Sequence, residues 1–310
     1  MALPVYDELC QNQEKAFGRS PVFAFSLHFA LSVNVFLLFA GVVGNTLIVR
    51  IFHQVVSIHS SSRTLFYSFA ASDFCVGFIV QPLNLVYLIS NITGNRSLCK
   101  SALPYLEVTG CAMFGVSLLT AYEISVDRLL ALRLRLSYRQ VVSLGRVRLV
   151  VVVTWLVSLV SGLTSLWNRE AFNLLQIIGT FLAIAISTVS YGWIHHKLRQ
   201  QKKHRKQRKV AWVESGQVVS GVSSFSSIHY KKTLSTALWV YCVLMSCYLP
   251  YIMVAALWSV FGAQREVVIC HAFALTLLYF NSAVTPVLYC LKIREVKERF
   301  KRLLSHVSCN

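Results

Sequence analysis

Asn281-Ser-Ala-Val-Thr-Pro-Val-Leu-Tyr289 sets an amide and several hydroxyls around Pro286 inside an apolar stretch, 266–291. Polar groups in hydrocarbon are costly unless they face protein or water. Pro286 also removes a backbone donor and frees a carbonyl about one turn earlier. A second apolar stretch carries a carboxylate, in Phe69-Ala-Ala-Ser-Asp73. There it must protonate, pair or bind a cation. No Lys or Arg lies at matching depth in the other apolar stretches. The implied chemistry is cation or proton binding rather than a salt bridge. Ser117 stands about three helical turns before Arg128, a depth that matches Asp73.

Asp127-Arg128 is an adjacent charged pair at the end of an apolar stretch, placed to snorkel and pair at an interface. His195 and His196 have the look of a metal pair, but they run straight into a basic tract and read as solvated. No Ser-His-Asp order, nucleotide loop or zinc-ligand spacing stands out, so no enzyme is expected.

These residues need elements that cross a membrane. Of 310 residues, 55% are hydrophobic and 14% charged, against roughly 25% charged in a soluble domain. Mean hydropathy is +0.58. A spanning helix needs about 20 apolar residues. Seven stretches qualify: 22–50, 64–90, 101–132, 149–167, 172–195, 233–261 and 266–291. The expected fold is an all-α, seven-transmembrane helix bundle of the plasma membrane. Residues 1–21 form its tail, 22–291 the helix domain, and 292–310 a surface helix and tail. No A-x-A-like cleavage site is seen, so the first span is expected to act as signal anchor.

The net charge of +18 is unevenly placed. Basic residues gather at Arg50 and Arg63, between Arg128 and Arg148, between Lys197 and Lys232, and from Lys292 onward. Only Lys15, Arg19, Arg96, Lys100, Arg169 and Arg265 fall on the other side. The positive-inside rule then puts the N-terminus outside and the C-terminus in the cytosol. The basic tracts face anionic inner-leaflet lipid and cytosolic partners rather than nucleic acid.

Along the chain, Gly41-Val-Val-Gly44-Asn45 offers two glycines for close helix approach and an amide that needs partners. Pro82 should bend the second helix. Asn91-Ile-Thr93 and Asn95-Arg-Ser97 are glycosylation sequons on the outer side. Glu107, near the outer end of the third helix, either meets a cationic ligand or caps a polar rim. The link before the fifth helix is short, about 168–171. The basic segment 197–232 either lacks structure or extends the fifth helix. Ile293, Val296, Phe300 and Leu303 share one face of an amphipathic surface helix. Cys309 is a candidate for acylation.

Seven spans carrying these residues in this order resemble the rhodopsin-like (class A) G-protein-coupled receptors, from the first helix to the surface helix. Asn45, Asp73 and Trp155 match the marker residues of helices 1, 2 and 4. Asp127-Arg128-Leu129 resembles the Asp-Arg-Tyr motif, Tyr191 the helix 5 tyrosine, and Pro250 the helix 6 proline. Thr285-Pro286-Val-Leu-Tyr289 resembles Asn-Pro-x-x-Tyr. The resemblance implies a sodium pocket at Asp73, Ser117, Asn281 and Ser282, and no other cofactor. It implies an extracellular ligand, outward movement of helix 6, and rearrangement of Arg128, Tyr191 and Tyr289 to admit a heterotrimeric G protein.

Several positions depart from that pattern. Tyr248 stands where the family usually has Trp. No acidic residue lies near Tyr230 to lock Arg128, which implies raised basal activity. The segment after helix 4 has no Cys, so the family's usual disulfide cannot form. Cys10, Cys99 and Cys270 remain near the outer face; a pair among them is expected, with Cys270 favoured as the partner of Cys99 or Cys10 and three free thiols as the alternative, and the sequence does not choose. The retinal-lysine position is Tyr279 and the amine-aspartate position is Gly110. The short link, missing disulfide and absent helix 5 proline are similar to the melanocortin and lipid-receptor branches, which favours a peptide or lipid ligand. The altered motifs also fit a non-signalling seven-helix protein of scavenger or atypical type. A small transporter using Asp73 would call for internal repeats, and none is seen between the halves.

Overall fold

The computed structural model describes residues 6, 7, 10, 11, 21–55, 58–134, 137–167, 169–214, 224–262, 264–292 and 294–308. Among the described residues there is no strand. Helix α1 is Pro21–Gln54, α2 is Ser60–Thr93, α3 is Arg96–Leu134 and α4 is Leu144–Thr164. Helix α5 is Arg169–Glu214, α6 is Ser224–Phe261, α7 is Arg265–Lys292 and α8 is Arg294–Ser308. A single turn, Tyr138–Val141, joins α3 to α4.

The first seven are long and apolar enough to cross a membrane. Hydrocarbon leaves the backbone no solvent partner, and a helix satisfies its own amides and carbonyls. Most of these helices extend a few residues past the apolar stretches, because polar interfacial residues continue the same helix. Helix α4 stops earlier, at Thr164, and Ser165–Trp167 form the turn before α5. Of the two expectations for 197–232, extension is seen over 197–214, where α5 stays helical to Glu214; α6 begins at Ser224, and 215–223 lie outside the described residues.

Helix α3 runs through the middle, packed on α2, α4, α5 and α6. Helix α7 closes the ring between α6 and α1. Large apolar side chains point outward, such as Phe25 and Phe36 on α1, Leu156 on α4, and Phe181 and Val189 on α5. That is the surface hydrocarbon tails require. Helix α8 seats Val296, which is fully buried, and Phe300 against the bundle. Arg299 Nη1 donates to Gln54 Oε1 of α1 at 3.3 Å. Ile293 and Cys309 lie outside the described residues, as does the Leu303 side chain.

Prolines lie within four of the helices. In α2, where Pro82 was expected to bend the helix, the ladder widens into a π turn, Val76–Val80, just before that proline. The Gln81 amide reaches Val76 O, five residues back, a widened turn of the kind found at helix irregularities. Pro250 and Pro286 sit inside α6 and α7, and so does Pro104 in α3.

Glycine permits two close crossings. A Cβ on Gly44 would lie 3.0 Å from Pro286 Cγ. A Cβ on Gly162 of α4 would lie 2.5 Å from the Val108 carbonyl oxygen of α3. The other glycine of the first-helix motif, Gly41, is less crowded, with its nearest atom at 3.9 Å.

Gly162→Ala should therefore push α4 off α3 and destabilise the bundle by about 1–3 kcal/mol. Gly179→Ala, where a Cβ meets nothing within 4 Å, should leave stability unchanged or slightly raised. Thermal unfolding of both variants in detergent checks this. Equal midpoints would contradict the tight α3–α4 crossing.

Candidate functional site

The polar residues of α7 are brought to Asp73. Ser282 Oγ donates to Asp73 Oδ1 at 2.9 Å, and Ser117 Oγ donates to the same oxygen at 3.4 Å. Ser72 and Ser117 hydroxyls lie 2.9 Å apart. Asp73 is 0% exposed, and Ser117, Asn281, Ser282 and Thr285 are all buried. Thr285 donates to Asn281 O at 2.9 Å. Among the described residues, two oxygens in this cluster, Asp73 Oδ2 and Asn281 Oδ1, have no partner within ordinary hydrogen-bond geometry, and Thr285 also faces the Asp73 carboxylate. Buried polar atoms are nearly always satisfied, so each such exception calls for an explanation.

The proline explains part of the geometry. Pro286 has no N–H to give to the carbonyl four residues back, which is Ser282 O. Asn45 Nδ2 fills that gap at 3.0 Å, and also donates to Gly41 O at 2.9 Å. Ser282 therefore joins α7 to α1 through its carbonyl and to α2 through its hydroxyl. Trp155 of α4 donates through Nε1 to Ser68 Oγ of α2 at 3.0 Å, and Ser68 lies 3.3 Å from the Thr120 hydroxyl.

Arg128 and Asp127 form a buried ion pair at the far end of α3. Arg128 Nε reaches Asp127 Oδ2 at 3.0 Å. Its Nη2 also donates to Ser62 Oγ, and Ser62 donates to Asp127 Oδ2 at 2.9 Å. The Tyr138 hydroxyl donates to Asp127 Oδ1. Buried charges persist when paired and hydrogen-bonded in this way. Tyr191 is buried, its ring 4.8 Å from that of Tyr241 on α6. Tyr289 is fully buried, edge-on to Phe52 and Phe66.

At the other end of the bundle lies a cavity of about 300 Å³ between α3, α5, α6 and α7. Its lining is mainly apolar and aromatic: Leu103, Leu106, Phe114, Leu118, Tyr251, Ile252, Trp258, Leu275 and Leu278. Glu107, Gln176, Thr180 and His271 supply polar atoms. Tyr248 forms part of the wall. Its hydroxyl donates to Phe114 O of α3 at 2.9 Å, and the two rings meet edge to face. Pro250, two residues on, breaks the α6 ladder beside this contact.

The disulfide differs from expectation. Cys10 pairs with Cys99, with their Cα atoms 6.1 Å apart, while Cys270 is a free, exposed cysteine. Asp7 and Cys10 lie against the start of α3, and Cys99 meets Cys10 there. Asp7 is paired with both Arg96 and Lys100. The Lys100 ammonium, together with Arg96, holds the Asp7 carboxyl below its usual range. A lowered carboxylate pKa stabilises at neutral pH. That contribution is lost only as pH falls below the ordinary value of about 3.9. The sequons also divide: Asn95 is exposed, whereas Asn91 is buried with an unpartnered Nδ2. Asn95 is thus the accessible acceptor.

Sequence reasoning missed Ser62 and Tyr138 as partners of Asp127, Tyr6 as a partner of Glu107, and Glu123 of α3, which accepts from Thr154 of α4. None sits in a motif. Only the Ser60-Ser-Ser62 run at the start of α2 hinted at hydroxyls near the Arg128 end.

The family described as "7 transmembrane receptor (rhodopsin family)" matches residues 44–174 and 164–289. The chain belongs to this family, whose members are receptors and not enzymes. It is a multi-pass protein of the plasma membrane. It is 24% identical to the alpha-1A adrenergic receptor of Oryzias latipes over 88% of this chain and 65% of that one. It is 23% identical to the adenosine receptor A3 of Canis lupus familiaris over 87% of this chain and 88% of that one. It is 24% identical to the histamine H2 receptor of Homo sapiens over 76% of this chain and 68% of that one.

Tyr138→Phe removes one hydrogen bond to the buried Asp127 carboxylate and should destabilise the chain by about 1–3 kcal/mol. Thermal unfolding in detergent measures it. An unchanged midpoint would show that Asp127 does not depend on Tyr138.

Proposed function

We propose that the chain is a G-protein-coupled receptor with its N-terminus outside, its ligand in the cavity, and its G protein at the Arg128 end. The observation that carries this reading is the layout of α3. One helix lines the cavity through Glu107 and Phe114 and holds the buried Asp127–Arg128 pair at its opposite end. Ligand binding favours outward movement of α6 about Pro250, a population shift set by differential affinity. Arg128, Tyr191 and Tyr289 then rearrange to admit the G protein.

A sodium ion at Asp73 would favour the resting arrangement. The orphaned Asp73 Oδ2 and Asn281 Oδ1, beside Ser117 and Ser282, suit a hard cation that takes oxygen ligands. The largely apolar cavity favours a peptide or lipid ligand, as in the melanocortin and lipid-receptor branches. The named relatives are amine and adenosine receptors, but Gly110 replaces the amine-binding aspartate. The basic segment 197–214 continues α5 and suits anionic inner-leaflet lipid. The N-terminal tail, helix domain and surface helix serve as ligand-side, transducing and cytosolic parts.

Nucleotide exchange on G proteins in membranes carrying the chain tests the reading. Wild type should accelerate exchange and Arg128→Ala should abolish the effect. Tyr248→Phe keeps the ring but frees α6 from Phe114 O, and should raise basal exchange about fivefold, the weight of one hydrogen bond. A flat signal for every G protein, with normal surface delivery and a full ligand screen, would favour the non-signalling reading instead.

A further inference from the structure

The cavity and the N-terminal tail meet at one carboxylate. The Tyr6 hydroxyl donates to Glu107 Oε2 at 2.9 Å, and Glu107 lines the cavity. Tyr6 is 2% exposed and packs in the main hydrophobic core. Two further bonds of different kinds fix the same short segment to α3. Cys10 is joined to Cys99, and Asp7 pairs with Arg96 and Lys100. Arg96, Cys99 and Lys100 occupy the first turn of α3. Glu107 lies two turns further in, about 12 Å along the axis from Cys99. A tail needed only for stability could stop at the disulfide. This one goes on to place a buried aromatic ring and its hydroxyl on Glu107, the one carboxylate lining the cavity among the described residues.

We propose that Tyr6, held by the Asp7 and Cys10 contacts to α3, is an intramolecular cap on the cavity, and that Glu107 is the anchor for which Tyr6 and the ligand compete. The ligand class follows from the group that holds the place. It is an amphiphile, peptidic or lipid-like, with an apolar body and a hydrogen-bond-donor or cationic head. The body suits Leu103, Leu106, Phe114 and Leu275, and the head replaces the Tyr6 hydroxyl on Glu107. A charged donor gains more from a carboxylate than a phenol does, so a cationic head displaces Tyr6 most effectively. The disulfide keeps the displaced segment beside the cavity, at high effective concentration. This inference rests on the reading of the cavity as the ligand site.

Cys111 lines the same cavity and is buried, so its modification reports access. The full chain in detergent is treated with cationic 2-aminoethyl methanethiosulfonate or its neutral 2-hydroxyethyl analogue. Labelling of the Cys111 peptide is followed by mass spectrometry, which separates it from the other cysteines. Tyr6→Ala should speed Cys111 labelling by both reagents. Tyr6→Phe, which keeps the ring and removes the bond to Glu107, should speed the cationic reagent by about tenfold, the weight of a hydrogen bond to a charged group. Glu107→Gln in the Tyr6→Ala background should remove the preference for the cationic reagent while leaving the neutral rate high. Rates equal to wild type in Tyr6→Ala and Tyr6→Phe would overturn the cap. A cationic preference that survives Glu107→Gln would overturn the anchor. Labelling needs no G protein, so a receptor silent in nucleotide exchange leaves the test intact.

Discussion

Ser282 holds three helices at once because a proline follows it by four residues. The missing Pro286 N–H leaves the Ser282 carbonyl without its helical donor, and Asn45 of α1 supplies one. The Ser282 hydroxyl meanwhile holds Asp73 of α2, which Ser117 of α3 also reaches. Gly44 lets the Pro286 ring lie against α1 at a separation no larger residue would permit without a shift. A carboxylate with no exposure is thus tied to two neighbouring helices, while the α7 kink is secured against α1. Removing one partner from such a buried group typically costs about 1–3 kcal/mol.

From this junction α3 extends to two unlike ends. Toward Arg128, charge is buried but matched: Asp127 receives Arg128, Ser62 and Tyr138. Among the described residues, the partners of the pair lie on α2, α3 and the turn that follows. Toward Glu107 the surroundings open into an apolar, aromatic cavity. Between them, Tyr248 latches α6 to the α3 backbone by a hydrogen bond that a tryptophan, with its donor elsewhere on a larger ring, would make differently. An outward movement of α6 would have to break that contact between the cavity wall and the α3 backbone.

The seven spans were legible because hydrocarbon imposes both length and composition, and each apolar stretch became one helix. The Asp73 cluster was legible for a related reason: a polar atom in an apolar stretch must find others at its own depth, and depth can be counted along a helix. What could not be read depends on the path of segments between the helices. Cys10 meets Cys99 because Asp7 and Cys10 lie against the start of α3, a placement that no periodicity encodes, and so Cys270 was the wrong partner. Tyr138 reaches Asp127 only because the chain turns back after Leu134. Asn91 satisfies its sequon, yet α2 stays helical through Thr93 and buries it. Gly162 was invisible because a close crossing depends on the carbonyl of another helix.

The central proposal is a cation site at Asp73 that also sets the resting arrangement. Thermal unfolding of the purified chain, titrated with sodium chloride against choline chloride at constant ionic strength, addresses this directly. The account predicts a saturable rise in stability with sodium, about 2.7 kcal/mol at a concentration 100-fold above the dissociation constant, and its loss in Asp73→Asn. Identical unfolding of the wild-type chain in the two salts at every concentration would contradict it.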